Sequence, residues 1–369
     1  MKVIINLNSA WAAYNFRVTL AKEIRGQNIE VVFLIPDDGN YFNKISKEFK
    51  CVEIKINPQS INPFKDFVYL LKLYLNFLHE KPDLILSFSI KANIFGNLAA
   101  RALKIPVINN INGLGTTFIR KNLLTALVKK LYKISLASSQ MVFFQNSHDL
   151  LLFKELKFIK ENYYSLVPGS GVNIVKFAKN NVSRAHKEFT FLFLGRIIKD
   201  KGVEEIIGSI KLLRSLNFNF RFNFVGEVDS KNRTSISRNQ VEEWEKSNLI
   251  TFYPMTDDVR KHINMCDCLV LPSYREGLPR VILEAFSMEK TVIASRVPGC
   301  IDIVSHNIDG LICEPYSVDD LANQMINMLN LKPKDIEKMG KKGREKILKF
   351  YDEKIVLKKY ISQINHILK

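Results

Sequence analysis

The chain has 369 residues, 47% of them hydrophobic, with 54 Lys and Arg against 37 Asp and Glu for a net charge of +17. This length fits two domains rather than one core, and the apolar fraction excludes a disordered chain. The charge favours an anionic lipid surface, a phosphorylated substrate or nucleic acid. Nucleic acid ranks last of these, because the basic residues lie inside apparently folded segments and no RNP, zinc-finger or recognition-helix signature is present.

Cys51, Cys266, Cys268, Cys300 and Cys313 form no CxxC pair, as expected of core thiols in a reducing cytoplasm. The six histidines show no metal spacing, and no metal or cofactor is expected. The run VIINL after Lys2 is too short for a signal-peptide core, and no uncharged run reaches the roughly 18 to 20 residues of a spanning helix. The expected location is the cytoplasm, peripherally on the inner face of the cytoplasmic membrane.

In chain order, Val3 to Leu7 and Glu30 to Pro36 read as strands around a helical stretch from about Tyr14 to Arg25. The first strand-end loop, NSAWAAY from Asn8, lacks GxGxxG, so a dinucleotide site is not expected there. Leu84 to Ser87, Val107 to Asn109 and Met141 to Phe144 read as later strands, a β-α alternation that implies a mostly parallel sheet. Phe64 to Glu80 and Phe118 to Leu136 are rich in Leu, Phe and Tyr. The second carries Arg120, Lys121, Lys129, Lys130 and Lys133 with no acid, which suits an interfacial membrane helix and equally a core helix with a solvated basic face. Between them lie SIKANIFG from Ser89 and NNINGLGT from Asn109, where ordinary turn chemistry accounts for Asn112-Gly113 as well as ligand approach does.

VPGSGVN from Val167 and the polar KNNVSRAHK from Lys179 mark a break. The domains are therefore set at 1–173 and 188–350, with 174–187 as linker and a final helix over 351–369. Phe189 to Gly195 opens the second domain as a strand, followed by GRIIKDKG. Arg196 and Lys201 lie there beside a helix amino terminus, where a diphosphate fits and where solvated turn charges fit too. Asn223 to Val225 reads as a strand ending at Gly226, and Glu227 to Asn248 as a polar stretch without visible chemistry. Asp267 to Ile301 then reads as strand, loop, helix and strand. Glu276 falls in the loop and Glu284 two turns along the helix, two carboxylates that can accept hydrogen bonds from the hydroxyls of a sugar or ribose. GxSxG, P-loop and zinc spacings are missing.

With Arg196, Lys201, Glu276 and Glu284 in hand, the chain resembles the retaining glycosyltransferases of family 4. The resemblance covers essentially the whole chain and is strongest in Phe191 to Lys201 and Leu271 to Pro298. It implies the α/β GT-B fold: two Rossmann-like doubly wound domains facing a central cleft, the first for the acceptor and the second for the nucleotide-sugar donor, with the last helix crossing back to the first. It also implies that Arg196 and Lys201 hold the donor diphosphate, with Gly226 nearby. Glu276, Gly277 and Leu278 would meet the donor hexose, and Glu284 the ribose; Arg196, Lys201 and Glu276 are the expected catalytic residues.

NSAWAAYNFR, INPF, SIKANIFGNLAARALKIP and NNINGLGTTF are similar to enzymes that extend undecaprenyl-diphosphate-linked sugars, including those that add N-acetylgalactosamine to a bacillosaminyl lipid. That similarity implies a UDP-N-acetylhexosamine donor and a lipid-diphosphate acceptor. It places Asn15, Arg17, Lys91, Asn93, Asn112, Gly113 and Gly115 on the acceptor side. The chain departs from the family at Ile90, where many members have histidine, and at Ala12-Ala13, where paired glycines are common. Transfer from GDP-mannose or another donor to a different acceptor, or nucleotide-sugar binding without turnover, are the other readings.

Overall fold

The computed structural model describes residues 1–56, 62–114, 123–180, 188–228 and 232–369, with only the backbone of 123 and 124. It divides into two units, Met1–Ser170 with Lys354–Lys369, and Gly171–Glu353.

The first unit is built on seven parallel strands: β1 (Lys2–Asn6), β2 (Glu30–Ile35), β3 (Lys50–Glu53), β4 (Leu84–Phe88), β5 (Val107–Ile111), β6 (Met141–Phe144) and β7 (Tyr164–Leu166). Their order is β3-β2-β1-β4-β5-β6-β7. Side chains alternate along β1, so Val3 and Ile5 enter one apolar cluster and Ile4 another. A sheet covered on both faces needs such an unbroken apolar run. α1 (Ala10–Arg25) packs with Val3 and Ile5 through Leu20 and Ile24, whereas α3 (Pro63–Glu80) and α4 (Ile90–Ala102) pack with Ile4 through Leu73, Phe77 and Ala99. The chain therefore leaves the neighbouring strands β1 and β4 towards opposite faces, the topological switch point where open α/β sheets bind ligands. α2 (Tyr41–Ser46), α5 (Leu123–Leu136) and α6 (Ser147–Glu155) complete this part.

The second unit repeats the plan with six parallel strands: β8 (Thr190–Leu194), β9 (Arg221–Gly226), β10 (Thr251–Pro254), β11 (Cys268–Leu271), β12 (Thr291–Ser295) and β13 (Gly310–Cys313). The order is β10-β9-β8-β11-β12-β13. α7 (Val203–Ser215) packs beside α11 (Val318–Leu329), and α10 (Arg280–Ser287) beside α12 (Pro333–Phe350). A 3-10 turn, Lys199–Lys201, joins β8 to α7, and α9 (Arg260–Met265) precedes β11. The last helix, α13 (Glu353–Leu368), returns Val356, Tyr360 and Ile364 to the core of the first unit.

Two regions differ from the sequence expectation. Glu227 to Asn248, read as a polar stretch without visible chemistry and assigned no element, contains α8 (Arg238–Lys246), held by a capping box in which Ser237 and Gln240 satisfy each other's backbone. Only Val241 on it is buried, so its apolar periodicity is faint. Part of the expected linker is core: Phe177 is buried in the second unit and Ile174 packs against it. Residues 181–187 of that linker lie outside the described ones.

Candidate functional site

In the second unit the switch point falls between β8 and β11, which pair through Phe191 with Cys268 and Leu192 with Leu269. The loops leaving these two strands carry Arg196 and Lys201 on one side and Glu276 on the other. They meet directly, with Lys201 Nζ 2.5 Å from Glu276 Oε1 and both side chains mostly buried. The backbones touch as well. Gly202 has φ +71, and a Cβ there would collide with the Pro272 carbonyl oxygen. Gly299, at φ +82, backs the loop from behind, its Cβ direction blocked by the Gly277 carbonyl. The Ser295 hydroxyl donates to the carbonyl of buried Ser273, fixing the start of the same loop.

Arg196, on the same loop as Lys201, is exposed. Gly226 closes β9 against the Gly195 carbonyl, and Leu278 lies partly buried against the core. The arrangement offers two cations, one carboxylate and rigid backbone at the carboxyl edge of a parallel sheet. An anionic group can take Lys201 from Glu276, freeing that carboxylate to accept from hydroxyls.

Tyr274 was not singled out by its sequence context, yet it ties the two loops together. Its N–H donates to the Asp200 carbonyl at 2.9 Å and its hydroxyl to Glu205 at 2.7 Å. Its ring stacks on Tyr316 with centroids 3.8 Å apart. Burial, and then the Glu205 carboxylate, push the phenol above its ordinary range. Its position two residues before Glu276, just past a strand end, is the signal that could have found it.

Glu284 faces inward on α10, paired with Arg280 Nε at 2.9 Å. Burial pushes its carboxyl up, against the opposing pull of Arg280 and Lys176. The native state then binds more protons than the unfolded chain between the ordinary glutamate range, about 4.3, and the raised value. Stability should fall as pH rises through that interval and level off above it. Glu284→Gln is expected to flatten this segment in urea unfolding followed across pH; an unchanged slope would assign the titration to another group, such as nearby Glu353, which burial also raises.

In the first unit Ser89 precedes α4 with φ +81, a region that costs a non-glycine residue strain, and sets Ile90 and Lys91 in the first turn. Lys91 Nζ lies 2.5 Å from Asp66 Oδ1 on α3. Asn93 is turned into the interior: it donates to the Asn110 carbonyl and accepts from Asn109 Nδ2, both at 2.9 Å. Arg17 is buried too, 4.0 Å over the Phe88 ring. These two support the strand ends from within instead of presenting charge or amide at the surface. Tyr360 from α13 donates to Asn110 Oδ1 at 2.7 Å, joining the carboxy-terminal helix to the same asparagine network.

Asn15 donates to the Trp11 carbonyl at 3.0 Å. Asn112 is exposed beside Gly113 and accepts from Gln145 at 3.0 Å. Gly115, Arg120 and Lys121 lie outside the described residues. On α5, Lys130 and Lys133 are exposed and Lys129 is partly so. No helix among the described residues is long and apolar enough to cross a membrane.

Two families match the chain: "Glycosyl transferases group 1" over residues 175–346 and "Glycosyl transferase 4-like" over residues 6–146. An N,N'-diacetylbacillosaminyl-diphospho-undecaprenol alpha-1,3-N-acetylgalactosaminyltransferase of Campylobacter jejuni is 28% identical, over 96% of both chains. A UDP-Gal:alpha-D-GlcNAc-diphosphoundecaprenol alpha-1,3-galactosyltransferase of Escherichia coli is 25% identical over 79% of this chain and 77% of its own. Among solved structures, sucrose-phosphate synthase from Thermosynechococcus elongatus superposes with a TM-score of 0.84 at 18% identity, covering 100% of this chain and 99% of the other. The two parallel-sheet Rossmann-like units are those of the GT-B fold.

Proposed function

Because the chain belongs to the glycosyltransferases, we propose that it moves a hexose, an N-acetylhexosamine from a UDP-sugar, onto an undecaprenyl-diphosphate-linked saccharide with retention of anomeric configuration. The observation that carries this reading is the contact of Lys201 with Glu276 across the switch point of the second unit. The acceptor class is supported by the two relatives whose names specify diphospho-undecaprenol sugars.

In this mechanism the donor diphosphate displaces Glu276 from Lys201 and lies between Lys201 and Arg196. The bond from the anomeric carbon to the diphosphate oxygen breaks, and negative charge grows on the leaving group, where the two cations stabilise it more than in the ground state. The acceptor hydroxyl attacks on the same face and passes its proton to a leaving phosphate oxygen. Glu276 accepts from the hexose hydroxyls and Glu284 from the ribose. The two glutamates are not a glycosidase pair, so the carboxylate-separation rule does not apply to them. No resident metal or cofactor is invoked, because the two cations serve the diphosphate. The acceptor is taken from the inner face of the cytoplasmic membrane, with Lys129, Lys130 and Lys133 towards anionic headgroups.

Purified protein given UDP-, GDP- and dTDP-sugars together with an undecaprenyl-diphosphate monosaccharide should extend the lipid by one N-acetylhexosamine from UDP alone, read by mass. Transfer from a GDP-sugar instead would overturn the donor. Tight nucleotide binding without any transfer would make Ile90, where many relatives have histidine, the mark of a binding protein.

A further inference from the structure

α3 is filled on one side only. Tyr69, Leu73, Phe77 and Glu80 are buried, while Phe64, Phe67, Leu71, Leu75 and Leu78 are 45 to 73% exposed. Steps of three, four, four and three residues keep these five on one line of the helix, about 21 Å long at 1.5 Å per residue. Single exposed apolar side chains are ordinary, but a continuous line of five marks a surface that meets something apolar.

The surrounding charge says what. Both acids of α3 are already engaged, Asp66 with Lys91, and buried Glu80 with Lys50 at 2.7 Å and Lys2 at 3.2 Å. Lys65 and Lys72 stand exposed beside the stripe. α4 packs against both α3 and α5, and α5 turns Leu127, Lys130, Lys133 and Ile134 outward with no acidic residue along its length. Apolar side chains flanked by cations complement anionic headgroups over acyl chains. They do not complement a second copy of the same surface, which would set cation against cation.

We propose that the outward stripe of α3, with the outer face of α5, seats this protein in the interface of an anionic bilayer, α3 lying along the membrane plane. The inference deepens the lipid-acceptor reading above and rests on it for its purpose. The dock itself is measured without turnover.

The full chain is to be co-sedimented with phosphatidylcholine vesicles, with and without phosphatidylglycerol, over a range of salt. Leu71→Ser/Leu75→Ser is expected to lose vesicle binding roughly tenfold or more at every salt concentration. Lys130→Gln/Lys133→Gln should lose it mainly at low salt, where headgroup attraction is unscreened. All four side chains are exposed or border solvent, so circular dichroism and UDP binding by the second unit should stay as in the parent. Unchanged vesicle binding by the leucine variant would overturn the proposal. So would a leucine variant that turns a dimer into a monomer in sedimentation velocity while still binding vesicles, since the stripe would then be covered by a second copy. If the parent binds vesicles through α3 but transfers no sugar, the dock stands and the transferase substrate reading falls.

Discussion

Lys201→Ala should lower the rate of sugar transfer on the order of 10²- to 10³-fold, the loss typical of removing one group aimed at charge that develops in a transition state. Lys201 is mostly buried and held 2.5 Å from Glu276, so it already stands at the switch point when the donor arrives and takes the place of Glu276. Removing it also leaves Glu276 repelling the diphosphate without a neutralising partner. Donor affinity should therefore fall along with the single-turnover rate. Arg196→Ala should cost less, because the interaction of an exposed guanidinium with the diphosphate is screened by water and salt. Rapid-quench measurement of transfer, beside nucleotide titration, separates the two effects. Equal rates for Lys201→Ala and the parent would remove Lys201 from the chemistry.

Gly202→Ala is expected to destabilise the second unit by about 2 to 4 kcal/mol and to weaken donor binding at the same time. Two costs act together. The left-handed backbone at φ +71 is unfavourable for alanine, and the new methyl would run into the Pro272 carbonyl. That contact sets the methyl against backbone atoms, which cannot swing aside as a flexible side chain would; the β8 and β11 loops must separate, carrying Lys201 away from Glu276. Urea unfolding and nucleotide titration of the variant test this. A stable variant with parent affinity would show that the loops move apart without cost and that their contact does not set the site.

The difference between these residues shows what was legible in the chain. Local order was: the alternation of short apolar runs with helical stretches announced parallel sheets, and GRIIKDKG and the Glu276 to Glu284 spacing marked strand-end loops because both features sit within a few residues of one strand. Long-range partners were not. Lys201 and Glu276 are 75 residues apart, and they meet only because β8 pairs with the distant β11 on one side as well as with β9, the next strand in sequence, on the other.

The acceptor-side residues make the same point. The resemblance puts Arg17 and Asn93 on the acceptor side without saying what they touch; the sheet order brings Phe88 beneath Arg17 and Asn109 and Asn110 against Asn93, so both side chains lie in the interior of the first unit. The reverse happened on α3, whose Leu and Phe content is compatible with a core helix all round. A helix of that composition is buried only as far as it has neighbours. By itself the sequence determined the fold class, the two-unit plan and the strand-end loops that carry the charged residues, because period and turn chemistry are local. Which charges pair, which amides are spent inside and which apolar face stays open was decided by tertiary structure, because burial depends on strand order and on the helices that the sheet sets side by side.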